Sequence, residues 1–331
     1  MASLHRTRFQ LTAAGTALAA LLGILAGCAG RSTTIGATPE AGTAGKETVA
    51  AAAPDSAGGG AAGHGNPGSQ SAGGPAPAPG TATASAARAL GDANWAHRGS
   101  PDSARMALAA YIEASQSAPD AALLGRLARC YYLVANYVET EPAAKDSLFL
   151  KGVETAERAM SLDPGFVKSF QETKDEKKAV QMLGMPYIDA IYWYSANLGK
   201  WASSKSLMVR LGNKSKLEAY SQRVLDLDEK YFHGAAHRFF GALPTKVPGG
   251  DLKLSKSHFE KAIAIEPNYF GTRTLYAELY ATKARDKDVF VKQLDYVIAT
   301  PPGSLPDAEP ENRYEQALAR QLKEHLHDWF D

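Results

Sequence analysis

Between Phe9 and Trp95 the chain has no aromatic residue, although it holds 29 of them in 331 positions. The other 28 fall in the last 237 residues. Within 31–90, 48 of 60 residues are Ala, Gly, Thr, Pro or Ser. Such a segment buries too little apolar surface to offset the entropy of ordering it, and it reads as a tether. What can build a core is the stretch 92–331, roughly 240 residues, which is one large domain. With 36 basic against 35 acidic residues and no basic stripe, nucleic acid is excluded as an electrostatic partner. Two cysteines exclude a disulfide framework.

The N-terminus reads as an export signal. His5, Arg6 and Arg8 precede an apolar run, Leu11–Leu25, too short for a comfortable membrane span. It ends in Leu25-Ala26-Gly27-Cys28, which resembles a bacterial lipobox. Residues 1–27 are then the leader and Cys28 the lipidated first residue of the mature chain, with 28–91 as the tether. The alternative is an ordinary cleaved leader with a chance cysteine. Several acyl chains give stable anchoring where one is marginal. Ala29, rather than Asp, follows the cysteine. By analogy with Gram-negative sorting, that favours the periplasmic face of the outer membrane. As a Gly-rich coil, the tether has a root-mean-square span of about 40–47 Å. No strand precedes its glycines, so they form no phosphate loop.

After Trp95 the apolar spacing is helical. It predicts helices over 102–116, 120–138, 144–162, 166–183, 186–203, 214–228, 231–243, 252–265, 269–285, 287–299 and 310–330, with caps at Ser100, Asp120 and Asn268. Phe259, Ala262, Ile263 and Ile265 lead into Pro267 in a pattern that resembles the second helix of a tetratricopeptide repeat. A small residue five places before the stop lets the partner helix approach closely. The pattern recurs at Ala114 before Pro119, Ala159 before Pro164, Val224 before Glu229 and Val297 before Pro302. Only the last two intervals approach the repeat's 34 residues. The expected fold is therefore all-α, a degenerate tetratricopeptide-like α-α solenoid with insertions and a concave binding face. An extra pair, 166–183 and 186–203, fills the longest gap.

Two segments are candidate sites. Residues 186–201 carry aromatics around most of a helix: Tyr187, Ile191, Tyr194, Leu198 and Trp201 in one stripe, with Tyr192 and Trp193 elsewhere. A helix apolar all round is a buried core helix. It also suits a ligand-cavity wall, with Tyr187, Tyr192, Trp193, Tyr194, Asn197, Lys200 and Trp201 offering aromatic faces and polar tips. Residues 237–251 interrupt a repeat with a Pro/Gly loop, which either connects or docks a partner through Arg238, Phe239, Pro244, Lys246, Pro248, Gly249 and Gly250. His233 and His237 have the i,i+4 spacing of metal ligands but no third ligand nearby, so no metal is expected. Cys130 reads as a buried free thiol. Nothing points to catalysis or a cofactor.

The lipobox, the degenerate repeats, the Tyr192–Trp201 run and Gly249-Gly250-Asp251 leading to the Phe259 helix together resemble the T-component proteins of TRAP transporters, over roughly 92–325. The resemblance implies a non-enzymatic periplasmic lipoprotein of cryptic tetratricopeptide repeats. Its partner would be the periplasmic solute-binding subunit of the transporter. It would hand over an apolar or organic-acid ligand through a cavity or pore, and a small homo-oligomer such as a trimer is open to it. The long tether is not part of that pattern. The other reading of the same repeats is a general scaffold lipoprotein for envelope or outer-membrane assembly.

Overall fold

The computed structural model describes residues 79–330. The leader, Cys28 and the tether as far as residue 78 lie outside the described residues. Among those described there is no strand. The helices are α1 (Pro79–Ala96), α2 (Pro101–Ser117), α3 (Ala121–Leu133), α4 (Pro142–Met160), α5 (Pro164–Thr173), α6 (Glu176–Ala179), α7 (Ile188–Ser203), α8 (Leu207–Leu227), α9 (Tyr231–Lys246), α10 (Leu252–Ile265), α11 (Phe270–Leu275), α12 (Thr282–Ala284), α13 (Lys287–Ala299), α14 (Glu309–Glu324) and α15 (Leu326–Phe330). A π turn, Val134–Val138, extends α3, and a second, Tyr276–Ala281, joins α11 to α12. No described helix is long and apolar enough to cross a membrane.

Local chemistry starts these helices where sequence rules place them. Asp120 accepts from Leu123 N at 2.7 Å and Asp163 from Phe166 N at 2.8 Å, each satisfying an orphan helix N–H. Proline occupies the first turn of α2, α4 and α5. Asn268 is not a cap. The Phe270 N–H donates instead to Asn312 Oδ1 on α14, and Asn268 accepts from the Tyr296 hydroxyl.

The helices pack as hairpins: α1 on α2, α3 on α4, α7 on α8, α9 on α10, and the α11–α12 run on α13. The predicted stops end α2, α4, α8, α10 and α13. The small residues five places before them, Ala114, Ala159, Val224, Ala262 and Val297, are all at most 1% exposed. The repeat reading therefore holds at every copy. The insertion differs from expectation, because 166–183 breaks into α5, α6 and a 3-10 turn. Lys174 takes a left-handed φ of 54° and ends α5. α7 is not an inserted helix but the partner of α8.

One helix falls where the tether was expected. α1 begins at Pro79, and Ala84, Ala87 and Trp95 on it are buried. The Tyr111 ring is so close to Gly91 that a Cβ there would lie 2.5 Å from it. Alanine and glycine suffice on this face because Tyr111 of α2 supplies the bulk. The Tyr111 hydroxyl donates to Asp92 at 2.8 Å, and Arg88 pairs with Asp120.

The two ends of the array meet. Arg98, after α1, donates through Nε and a terminal nitrogen to both oxygens of Glu311 on α14, at 3.0 and 2.9 Å. Tyr137 stacks on Tyr314 at 5.1 Å. A concave face was expected, and here the first hairpin and the π turn after α3 reach across to α14 and close off the space between them.

Candidate functional site

At the centre of that enclosure five elements bring aromatic rings together. α3 and its π turn supply Tyr132 and Tyr137, and α7 supplies Tyr192 and Trp193. The start of α9 supplies Phe232, and Tyr269 precedes α11. Ring centroids are 5.2 Å apart for Tyr132–Trp193, 5.0 Å for Trp193–Phe232 and 5.6 Å for Phe232–Tyr269. The cavity among Arg129, Tyr132, Leu133, Tyr137, Trp193, Phe232, Tyr269 and Glu311 is about 10 Å³, the room of one water.

A strained turn clamped by Arg238 sets the position of Phe232. Phe232, His233 and Gly234 have φ of 43°, 60° and 73°. Two successive non-glycine residues in the left-handed region are costly and persist only where the surroundings impose them. Here Arg238 imposes them, because its guanidinium donates to the carbonyls of Phe232 and His233 at 2.8 and 2.5 Å. It lies 4.3 Å over Tyr269 and 5.5 Å over Phe232. The same turn explains why His233 and His237 do not share a face. His233 stacks on Tyr269 at 4.9 Å, whereas His237 bonds His258 and Glu229, each at 2.9 Å.

The enclosure is biased positive. Arg129 lies 4.7 Å over Phe232, 5.6 Å over Trp193 and 5.0 Å over Trp95, and it bonds Glu311 at 2.9 Å. Burial works against the Glu311 carboxylate, but Arg129 and Arg98 outweigh it and hold it below the usual glutamate range. Glu315 differs. Burial raises its carboxyl, against donors from Thr274 and Tyr137. Burial lowers His233 to about 4, with Arg238 and Arg129 adding to the effect. Burial also raises Tyr132, Tyr137 and Tyr269, so their hydroxyls remain neutral.

Of the predicted cavity set, Trp193 lines this cavity, with Tyr192 packed beside it at 4.6 Å. Tyr194 faces the other way and stacks on Tyr220 at 4.4 Å. Asn197 donates to the carbonyls of Ala128 and Trp193, at 3.1 and 2.7 Å, and ties α7 to α3. Tyr187 and Trp201 pack on the edge of the core. Of the predicted loop set, Arg238 is buried at the centre, and Pro244 is buried inside α9 rather than on a loop. Phe239 packs on the core. Pro248, Gly249 and Gly250 form the actual turn, with Gly249 at φ 66° and Gly250 tight against the Pro244 carbonyl. Lys246 is exposed at the end of α9, and Lys200 is half-buried in the last turn of α7. The two predicted sets thus meet where Arg238 lies beside the Tyr192 hydroxyl.

Arg129, Tyr132, Tyr137, Phe232, Tyr269 and Glu311 were not singled out from the sequence. Their sole signal was an arginine and two tyrosines around Cys130. That thiol is itself buried, and burial raises it to about 12. Among the described residues no three His, Cys, Asp or Glu side chains are placed to hold a metal.

A second, open cleft of about 730 Å³ lies outside the chamber, lined by Trp95, Arg98, Arg126, Arg129, Asp307, Arg313 and their neighbours. Arg129 belongs to both linings.

A search among curated proteins finds no match. The family model of the TRAP transporter T-component matches residues 134–330, which hold Tyr137, Trp193, Phe232, Arg238, Tyr269 and Glu311. With its proline-stopped helical hairpins and central aromatic enclosure, the chain belongs to the TRAP transporter T-component family.

Proposed function

We propose that this protein is a non-enzymatic, lipid-anchored periplasmic component of a TRAP transporter. It docks the solute-binding subunit and hands over an apolar or organic-acid ligand through the aromatic chamber. Family membership carries this reading. Three features support it: the lipobox-like Leu25–Cys28, the ring of aromatic faces, and the excess of guanidinium over carboxylate beside it. Aromatic rings take an apolar body, and Arg129 and Arg238 suit an acid group. The chamber has room for one water, so ligand entry requires its walls to part. Anchoring at Cys28 puts the domain on the periplasmic face of the outer membrane, with the tether setting its reach.

Two measurements test this reading. Pull-down from the periplasm recovers the transporter's solute-binding subunit; recovery of envelope-assembly machinery alone makes the protein a scaffold instead. Cys28→Ser or globomycin releases the protein from membranes; unchanged fractionation removes the anchor.

A further inference from the structure

The open cleft is built largely from residues that precede the family match, Trp95, Arg98, Arg126 and Arg129, and of these it shares Arg129 with the chamber. Three guanidinium groups surround one indole. Arg98, Arg126 and Arg129 lie 4.8, 5.3 and 5.0 Å from the Trp95 ring centre. Trp95 is buried, so the ring serves as a platform that holds the cations rather than as an open face. Arg98 and Arg129 share the single carboxylate of Glu311, and Arg98 also donates to the carbonyls of Trp95 and Asp307. Arg313 is paired with Glu309 at the rim. Arg126 makes no hydrogen bond or ion pair among the described residues, and it is only partly buried.

With Asp307 and Glu309 of the lining and Glu311 beside it set against four arginines, one positive charge is left in excess. A guanidinium has five donors in a fixed fork that matches an oxyanion, and a cleft of about 730 Å³ is the size of small-molecule sites. We infer that this cleft binds a small anion through a carboxylate or phosphate group, with Arg126 as the principal contact.

The test uses the purified full chain. It is titrated with sodium malonate, inorganic phosphate and sodium chloride at matched ionic strength, followed by calorimetry and by tryptophan fluorescence. Malonate or phosphate is expected to bind saturably, and the one that binds more tightly identifies the group. The fluorescence change is expected to disappear in Trp95→Phe. Arg126→Gln should weaken binding at least tenfold while the far-ultraviolet circular dichroism stays that of the wild type, and Arg126→Lys should give an intermediate loss. A response that follows ionic strength alike in all three salts would overturn the inference, as would an Arg126→Gln affinity within twofold of the wild type. Neither outcome bears on capture of a solute-binding subunit, so the two readings fail separately.

Discussion

Single residues near the centre carry interactions with no substitute. Among the described residues Glu311 is the carboxylate paired with both Arg98 and Arg129, and its side chain is 5% exposed. Removing one partner of a buried ion pair leaves an uncompensated charge, at a cost of about 3–5 kcal/mol. Glu311→Ala should lower unfolding stability by about that amount in urea titration at pH 7. The pH dependence has a definite sign. The folded Glu311 pKa is depressed, so its contribution is present above the unfolded value of 4.5 and is lost as pH falls through the folded value. The stability difference between wild type and Glu311→Gln should therefore shrink in acid. His233 acts in a higher window. Its folded pKa is about 4 against an ordinary 6.5. The fold prefers the neutral ring, and stability is full above 6.5 and erodes towards pH 4. His233→Asn, a residue that tolerates positive φ, should flatten the thermal midpoint between pH 6.5 and 4.5; an unchanged slope would assign that erosion to other groups. Arg238→Ala leaves the Phe232 and His233 carbonyls without donors, at a cost of about 1–3 kcal/mol for each one left buried. Increased hydrogen exchange at 231–235 should report it.

At the scale of elements, the hairpin is the unit, and its contact surface is small residues against large. In α1/α2 the pair is Gly91 and Tyr111, and in α9/α10 it is Gly241 and Phe259, where an added Cβ would lie 2.8 Å from the ring. Overpacking of this kind costs about 1–3 kcal/mol. Gly91→Val should destabilise the protein by that much in circular-dichroism melts, whereas substitution at Gly199, with open space around it, should cost far less. The same asymmetry explains why α1 was illegible in the sequence. Composition counts the apolar bulk a segment brings, and α1 brings Ala84 and Ala87. It does not count the bulk its partner brings, here Tyr111. The stops of the repeat copies were legible because proline and aspartate act locally, on the turn they occupy. The break after Thr173 was not, because it depends on Lys174 turning left-handed.

Across the whole molecule, closure decides what the array can do. Arg98–Glu311 joins residues 213 apart, and Tyr137 reaches Glu315 across 178. Arg98→Ala should speed hydrogen exchange in α1 and α14 together, because each holds the other; a rise confined to one end would mean that the ends are independently stable. The sequence by itself determined the helical class, the five stops, the buried small residues before them and the aromatic wealth of α7. All of these follow from spacing within a few turns, where neighbours in the chain are neighbours in space. Only the tertiary structure decided which faces met. It turned Tyr194 towards Tyr220 and Trp193 towards the chamber, and it drew Arg238 inward from a segment that read as a surface loop. It also brought Arg129, Tyr269 and Glu311 to one point from three distant helical units. Such convergence has no periodicity to read, because it depends on the angles at which successive hairpins stack, and small differences in side-chain volume at every interface set those angles.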